Sequence, residues 1–337
     1  MFLIFLFLIL LSFLLVFVVL PLVFMLSIRL QQLLIFTHWN QPRNKSYYEN
    51  FRFSGLKNRY VIVKDDDAQQ SLALGLWQIL PIELAKMAIH TRKFDYDEAL
   101  RNGKYSVVLY FHGTGEDRTD NTMKYQLLRL FFHVIAFDYR CYGDSTNGEL
   151  FEQSVVNDCI QIFQWVKNHT NAPIYIWGHS LGTAICTSMI SQLNRIGAIK
   201  GLILEAPFTD LKDEIYQHPY AKYLAWLPWF EVTVIRPLLK NGFVFDTAKN
   251  ILNVDCPIMI FHAEDDEVVP YSMSKQLFAI AKTRKYGRLA NLTFLYIFNE
   301  SLRYNHIFMY RDSYMYFYIL NFLKDCNEKN FLGSHQS

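Results

Sequence analysis

A serine lies at the centre of the pentapeptide Gly-His-Ser-Leu-Gly at residues 178–182, and this spacing suits nucleophilic chemistry. The pentapeptide follows an apolar run at residues 174–177 and precedes a helix-length segment that starts at Leu181. On a tight strand-to-helix turn, small flanking residues permit the strained backbone, and the helix N-terminus faces a developing negative charge. We therefore predict that Ser180 is the nucleophile of an acyl transfer; the alternative is a glycine turn with an idle serine.

A second turn, His-Gly-Thr-Gly at residues 112–115, directly follows the apolar run at 106–111. Acyl transfer passes through a tetrahedral intermediate, and two preorganised N–H donors aimed at its oxyanion stabilise the transition state. The backbone amides of Thr114 and Leu181 are predicted to be this pair. His112 is expected to orient the turn and not to react.

The acidic stretch Glu-Asp-Asp-Glu at residues 264–267 follows the apolar run at 258–262. A triad carboxylate holds the imidazole in one tautomer and stabilises its cation. Asp265 and Asp266 both qualify as this acid from composition, and Asp210 is an outside candidate. The alternative is a solvated acidic loop.

The predicted general base is His306. Of the ten histidines, only His306 and His335 follow the acidic stretch, and His335 lies near the end of the sequence. The order serine, acid, histidine is the chain order of triads built on a strand-to-helix nucleophile turn.

Short apolar runs alternate with helix-length segments along most of the chain, and several runs are continuous, as in strands buried on both faces. The pattern predicts an α/β fold with a mostly parallel central sheet covered by helices. The predicted strands lie at 60–63, 72–80, 106–111, 133–138, 174–177, 201–204, 258–262 and 292–297, and the predicted helices include 151–168, 181–195, 272–281 and 312–325.

Residues 209–255 separate two predicted strands by more than a normal crossover. Long insertions of this kind usually serve as lids or binding elements. We predict a lid whose apolar rim includes the stretch from Trp226 to Phe230; the alternative is a set of aromatics that close a side core. Among the residues that this insertion carries are His218, Pro219, Tyr220, Tyr223, Trp226, Pro228, Trp229 and Phe230.

The first 28 residues carry no charged side chain. A helix over residues 2–25 would be about 36 Å long, more than the roughly 30 Å of hydrocarbon in a bilayer. A cleavable signal peptide has a basic start and a small-residue cleavage site, which this segment lacks. We predict a transmembrane anchor at 1–28, a polar juxtamembrane connector at 29–58, a globular domain at 59–327 and a C-terminal tail at 328–337.

Two patterns disagree about which side of the membrane the globular domain occupies. Basic residues follow the apolar segment and none precedes it, which by the positive-inside rule favours the cytoplasm. Four N-x-S/T sequons suit a lumenal face; they lie at Asn44, Asn168, Asn291 and Asn299.

Composition excludes some classes of partner and cofactor. The net charge is +2, with 33 basic and 31 acidic residues, so nucleic acid is not an expected partner. The five cysteines have an odd count and no CxxC spacing, so they suggest neither a metal site nor a disulfide framework, and we expect three or more to be buried thiols. They are Cys141, Cys159, Cys186, Cys256 and Cys326. No cofactor is expected. The charged residues Asp138, Arg140 and Asp144 are expected to form a buried ion pair that pins a loop.

Three segments together resemble the membrane-bound monoacylglycerol and lysophosphatidylserine lipases of the α/β-hydrolase superfamily: residues 137–145, 175–183 and 262–270. The resemblance covers about residues 60–325 and includes a similarly placed anchor. The family pattern His-x-x-x-Asp-x-x-Val-Pro assigns the acid to Asp266. The sequence departs from the family at Asn305, where arginine is common, at Cys141, where glycine is usual, and in lacking a basic cytosolic flank before the anchor.

The resemblance implies an α/β-hydrolase fold and a lumenal or extracellular catalytic domain. We expect a single-pass membrane protein of the endoplasmic reticulum with the catalytic domain in the lumen. The resemblance also implies hydrolysis of the acyl ester of single-chain lipids through an acyl-enzyme, with no obligate protein partner inferred. One alternative is a cytoplasmic acyl-protein thioesterase that uses the same triad. Another is a non-catalytic interaction protein on the same fold, which is disfavoured because serine, acid and histidine all stand in order.

Overall fold

The computed structural model describes residues 1–38, 44–65, 68–193, 197–285 and 287–328; of the predicted C-terminal tail, residues 329–337 lie outside these ranges. Within them, eight strands form one sheet in the order β1-β2-β4-β3-β5-β6-β7-β8. The first two strands are antiparallel to their neighbours and the others are parallel, which confirms the predicted α/β class. The strands are β1 (Leu56–Asp65), β2 (Gln70–Ile79), β3 (Ser106–Phe111), β4 (Phe132–Phe137), β5 (Ile174–His179), β6 (Gly201–Glu205), β7 (Ile258–Ala263) and β8 (Thr293–Phe298).

Helices precede, connect and follow the strands. The α-helices are α1 (Phe2–Leu14), α2 (Leu20–Leu26), α3 (Ile28–Phe36), α4 (Lys45–Glu49), α5 (Ile82–His90), α6 (Tyr96–Arg101), α7 (Thr122–Leu128), α8 (Glu152–His169), α9 (Leu181–Gln192), α10 (Leu211–Gln217), α11 (Arg236–Lys240), α12 (Thr247–Asn250), α13 (Tyr271–Ala281), α14 (Gly287–Ala290) and α15 (Met315–Glu328). Shorter turns of π-helix (Leu15–Val19 and Glu231–Ile235) and 3-10 helix (Ile251–Asn253, Glu300–Leu302 and Phe308–Arg311) complete these connections.

The central strands are apolar throughout because both faces of the sheet are covered. Along β3, Leu109 packs into the core on one face, while Val108 and Tyr110 pack into the core on the other. Side chains alternate between the faces of a strand, so a strand with two buried faces needs apolar residues at every position. This explains why the continuous apolar runs predicted the strands well.

The chain begins with one long helix, from Phe2 to Leu26, in which α1, a π turn and α2 are continuous. Among the described residues, it is the one helix that is long and apolar enough to cross a membrane. Its most apolar window is not buried within the protein. We call it the N-terminal apolar helix.

Residues 29–58, predicted as a polar connector, contain more packed structure than that description implies. Helix α3 buries Ile35 and Phe36 in the main core, and Tyr48 on α4 is also buried. The strand β1 begins at Leu56 and not at Tyr60, because its pairing with β2 extends along its whole length.

The insertion, residues 209–255, connects β6 and β7 through short helices. Its aromatic side chains differ widely in exposure, and Trp229 is intermediate. Tyr220, Tyr223 and Trp226 are 85%, 71% and 76% exposed, whereas Phe230 is 3% exposed and belongs to the main core. The predicted apolar rim from Trp226 to Phe230 is therefore wrong at its C-terminal end, where the side chain packs inward against the domain.

Candidate active site

The sheet order brings the predicted site residues to one edge. Strand β5 lies between β3 and β6, with Phe111 opposite Gly178 and His179 opposite Glu205. In an open parallel sheet, loops at the carboxyl ends of the strands meet along one edge. The turns after β3, β5, β7 and β8, which carry the predicted site residues, therefore share this edge.

Ser180 occupies a strained turn between β5 and α9. Its backbone has φ 51° and ψ −121°, a conformation that costs a residue with a side chain about 1–3 kcal/mol. The two flanking glycines are required by close packing. A Cβ on Gly182 would overlap the Phe111 carbonyl oxygen, and a Cβ on Gly178 would lie 2.7 Å from the Gly182 carbonyl oxygen. The pentapeptide therefore forms the tight strand-to-helix turn that a nucleophilic serine requires, which we call the nucleophile turn; the role of Ser180 stays a prediction.

The loop after β3, residues 112–116, lies against Ser180; we call it the glycine loop. A Cβ placed on Gly113 would lie 3.2 Å from the Ser180 Cβ, so the loop backbone passes directly beside the serine. Thr114 follows Gly113, and Leu181 is the first residue of α9, where backbone N–H groups have no partner within the helix. This proximity supports the backbone amides of Thr114 and Leu181 as oxyanion donors. Their role stays a prediction.

Asp266 contacts His306 directly. The Nδ1 atom of His306 lies 2.7 Å from Oδ2 of Asp266. The other carboxylate oxygen accepts the backbone N–H groups of Val268 and Val269 at 2.8 and 2.9 Å. These amides fix the carboxylate, so its second oxygen is held towards the imidazole. The Nε2 atom of His262 also lies 3.0 Å from Oδ2 of Asp266, the oxygen that contacts His306.

The other two acid candidates have different partners. Asp265 accepts the backbone N–H of Asn305 at 3.0 Å. Asn305 is the residue before His306, so this bond holds the backbone beside His306 and does not involve the imidazole ring. Asp210 caps helix α10, where its carboxylate accepts the N–H of Asp213 at 2.9 Å. The geometry thus favours Asp266 as the partner of the imidazole.

Burial and hydrogen bonding set the protonation states of this pair. Burial raises the pKa of Asp266, but hydrogen bonds from His262 and His306 outweigh this and bring the pKa well below its usual value. Burial lowers the pKa of His306, and the hydrogen bond to Asp266 offsets only part of that decrease. The pair is therefore a carboxylate and a neutral imidazole with Nδ1–H donating, which leaves Nε2 free to accept a proton.

A second histidine links the nucleophile turn to the predicted base. The Nδ1 atom of His179 lies 3.2 Å from Oε1 of Glu116, and its Nε2 lies 3.0 Å from the carbonyl oxygen of His306. A carboxylate and a carbonyl both accept hydrogen bonds, so this geometry favours an imidazole that donates from both ring nitrogens, which is the cationic form. Burial lowers the pKa of His179, but the charge of Glu116, its hydrogen bond and the charge of Glu205 together outweigh burial, and the pKa is raised overall.

The sequence reasoning assigned no role to Glu116 or His179, although Glu116 directly follows the His-Gly-Thr-Gly turn and His179 directly precedes the serine. Their pairing depends on the adjacency of β3 and β5, which the order of residues along the chain does not reveal. Glu116 also accepts the N–H of Gly113 at 2.8 Å, so the same carboxylate ties the glycine loop to the nucleophile turn.

The charged residues of the loop after β4 lie in buried ion pairs, as predicted, but their partners come from other segments and not from the loop itself. Arg118 forms buried ion pairs with Asp138 and Asp144, and Arg140 forms them with Asp65 and Asp158. All five cysteines are free and buried, in agreement with the expectation of three or more buried thiols.

The chain is similar to known hydrolases. Residues 104–239 match the family model Hydrolase_4, described as serine aminopeptidase, S33. Lysophosphatidylserine lipase ABHD12 of Danio rerio is 32% identical over 261 residues, which cover 76% of this chain and 68% of the relative. The human protein ABHD12B is 32% identical over 220 residues, covering 64% of this chain and 60% of the relative.

The fold also has solved counterparts. The esterase Pf2001 of Pyrococcus furiosus superimposes with a TM-score of 0.57 at 16% identity, covering 86% of this chain and 98% of that one. Lysophosphatidylserine lipase ABHD12 of Gallus gallus is 34% identical over 248 residues, 72% of this chain, and the match spans 64% of the relative's length. On these similarities, the chain belongs to the ABHD12 family of α/β-hydrolases.

Proposed function

We propose that this protein is a membrane-anchored serine esterase that hydrolyses the acyl ester of single-chain lipids, lysophosphatidylserine or monoacylglycerol. The observation that carries the proposal is the 2.7 Å contact between Asp266 and His306 at the sheet edge that also holds Ser180 in a strained turn. Relatives named as lysophosphatidylserine lipases support the choice of lipid esters.

In the proposed reaction, Nε2 of His306 accepts the hydroxyl proton of Ser180 as the Ser180 oxygen bonds to the acyl carbon. The amides of Thr114 and Leu181 bind the oxyanion of the tetrahedral intermediate. When the ester C–O bond breaks, His306 gives its proton to the departing glycerol oxygen and an acyl-serine remains. Water then attacks the acyl carbon with His306 again as base, which releases the fatty acid and restores the serine.

The N-terminal apolar helix supports the membrane assignment. Its C-terminal part, Leu20–Leu26, packs against Glu231–Ile235 of the insertion. The exposed side chains Tyr220, Tyr223 and Trp226 belong to the same insertion. An anchored domain meets amphiphiles at high local concentration, and aromatic side chains favour the boundary between water and lipid. We propose that the insertion faces the bilayer and admits single-chain lipids to the site.

The acyl chain is the part of the substrate that offers the most binding energy. Each buried methylene contributes about 0.8 kcal/mol, so a long chain can outweigh a short ester by several kcal/mol. If the binding energy of the acyl chain is realised in the transition state, both turnover and affinity rise with chain length. This supports long-chain lipids as substrates; the choice of head group rests on the named relatives.

The test is a panel of lysolipids, monoacylglycerols, two-chain phospholipids and acyl-cysteine peptides, assayed with purified protein in mixed micelles. We expect the single-chain lipids to be cleaved fastest, with rates that rise with chain length. The Ser180→Ala variant should lose about a millionfold in turnover, as triad serines do. If acyl-cysteine peptides are cleaved faster than the single-chain lipids, and a longer acyl chain gives no increase in rate, the protein is a thioesterase and the proposed lipase function is wrong.

We also propose a lumenal orientation in the endoplasmic reticulum. The four sequon asparagines, Asn44, Asn168, Asn291 and Asn299, are all exposed, as glycan acceptors must be. In sealed microsomes, at least one of them should carry a glycan and the domain should resist added protease. Digestion without detergent, with no mobility shift after glycosidase treatment, would assign the domain to the cytoplasm.

A further inference from the structure

Helix α3 contacts the glycine loop through its last two carbonyl groups. The carbonyl oxygen of Ile35 accepts a hydrogen bond from Oγ1 of Thr114 at 3.3 Å. The carbonyl oxygen of Phe36 accepts the backbone N–H of Gly115 at 3.2 Å and also the hydroxyl of Tyr142. The last carbonyls of a helix lack partners within it, and here the glycine loop supplies them.

Gln31, on the same helix, connects the N-terminal apolar helix to the insertion. Its side chain is fully buried. Its Nε2 donates to the carbonyl oxygens of Phe24 and Met25 at 3.0 and 3.3 Å, and its Oε1 accepts from Nδ2 of Asn241 at 2.7 Å. One amide therefore ties the end of the apolar helix, α3 and the insertion into one unit.

The ring of Phe36 fixes α3 from the side of the insertion. Phe36 is fully buried and meets Phe243 and Phe245 edge-on, with ring centroids 6.2 and 6.1 Å apart. Close-packed aromatic contacts of this kind leave little room for a shift of the helix axis. Helix α3 thus lies between the insertion and the glycine loop, in fixed contact with both.

The position of the glycine loop matters at Ser180. Gly113 approaches the serine so closely that a Cβ would lie 3.2 Å from the Ser180 Cβ. An oxyanion donor acts only if it is held at hydrogen-bond distance from where the charge develops, and a misplacement of about 1 Å can cost on the order of a hundredfold in rate. A helix that sets the position of Thr114 and Gly115 therefore bears on turnover.

We propose that helix α3 is a positioning element of the catalytic centre, with Gln31, Phe36 and Tyr142 as its positioning residues. Helix α3, which follows the N-terminal apolar helix, holds the glycine loop in position beside Ser180, in addition to linking the apolar helix to the domain. This inference rests on the proposed function, because it takes the Thr114 amide as an oxyanion donor. A purely structural helix would affect the amount of folded protein and not the turnover of each active site.

The experiment uses the full-length protein in mixed micelles with a soluble short-chain ester, so that lipid access does not limit the rate. The variants are Tyr142→Phe, which removes one hydroxyl, and Gln31→Met, which keeps the side-chain volume and removes its hydrogen bonds. The matched control is Gln32→Met, on the neighbouring, half-buried glutamine. Active sites are titrated with a fluorophosphonate probe, so that kcat refers to competent enzyme.

We expect Tyr142→Phe and Gln31→Met each to lower kcat by about 3- to 10-fold with KM unchanged, the equivalent of one neutral hydrogen bond. Gln32→Met should match the wild type. The proposal is overturned if kcat per titrated site stays at the wild-type value in both test variants, or if Gln32→Met loses as much as Gln31→Met. If wild-type protein shows no hydrolysis that depends on Ser180, the proposed function fails, and this inference fails with it.

Discussion

The imidazole Nδ1 of His306 lies 2.7 Å from Oδ2 of Asp266. The adjacent carboxylate of Asp265 points to a different partner, the backbone N–H of Asn305, at 3.0 Å. Two neighbouring acids of equal chemistry therefore have separate tasks in the proposed reaction: one orients the base, and the other fixes the turn that carries it.

This difference predicts unequal effects of the same substitution. Asp266→Asn should lower kcat by about ten-thousandfold, because an amide stabilises the wrong tautomer of His306 and does not balance its cation. Asp265→Asn should cost far less, since an amide oxygen can still accept the Asn305 N–H. Steady-state kinetics on both purified variants measures this. A larger loss in Asp265→Asn would transfer the acid role to that residue.

The His179–Glu116 pair predicts a shift in the pH profile. Burial and the neighbouring His179 cation hold the pKa of His306 below its usual value, so the acid limb of kcat/KM should lie below about pH 6.5. In Glu116→Gln, the pKa of His179 loses the charge that raises it and should fall. A neutral His179 no longer depresses the pKa of His306, so the acid limb should move to higher pH.

Glu267→Gln is the control for this measurement, because Glu267 is an exposed carboxylate in the same loop as Asp266. Its charge is screened by solvent, so its pH profile should match that of the wild type. An acid limb that stays in place in Glu116→Gln, or moves to lower pH, would contradict the assignment of His179 as a cation.

The sequence predicted the fold well because its strands are buried on both faces. A continuous apolar run such as that of β3 predicts a strand even when the adjacent strands of the sheet are not known. The predicted bounds 106–111 agree with Ser106–Phe111. The strand β1 was predicted too short because its first half is only partly buried and has a mixed composition.

The site was only partly predictable for a physical reason. Motifs that are contiguous in sequence, such as the turn around Ser180, carry their own local signal. Contacts between distant segments do not: Gln31 with Asn241, and Glu116 with His179, depend on strand order and on how the insertion packs. The segment after the N-terminal apolar helix was predicted as a polar connector because the buried residues of α3 are too few to produce a clear apolar pattern.

The close packing of α9 on β3 predicts that Gly182 does not tolerate a methyl group. In Gly182→Ala, the new Cβ would lie 2.7 Å from the His112 carbonyl oxygen and closer still to that of Phe111, both backbone atoms. Helix α9 must move away, which displaces the Leu181 amide. We expect a loss of about 1–3 kcal/mol in stability from overpacking, together with lower kcat per titrated site.

Gly287→Ala is the matched control, because a Cβ on Gly287 meets nothing within 4 Å. Thermal unfolding and active-site titration on both variants separate the two effects. A Gly182→Ala enzyme with wild-type stability and turnover would show that neither property depends on the close packing of α9 against the end of β3.

The exposed aromatics of the insertion predict a loss that is confined to aggregated substrates. Trp226 and Tyr220 are 76% and 85% exposed, and the contacts of their side chains, with the Tyr223 carbonyl oxygen and the His218 ring, lie within the insertion. If they enter the lipid interface, Trp226→Ser and Tyr220→Ser should lower the rate on micellar lipid several-fold, through weaker interfacial binding, while kcat on a soluble short ester is unchanged.

Ile62→Ser is the control, since Ile62 is a 64% exposed apolar residue on β1, outside the insertion. The measurement is the ratio of micellar to soluble turnover for each variant against wild type. An equal decrease on both substrates would indicate damage to the site, and an equal decrease in Ile62→Ser would indicate a general loss of surface apolarity; either result contradicts a membrane-facing insertion.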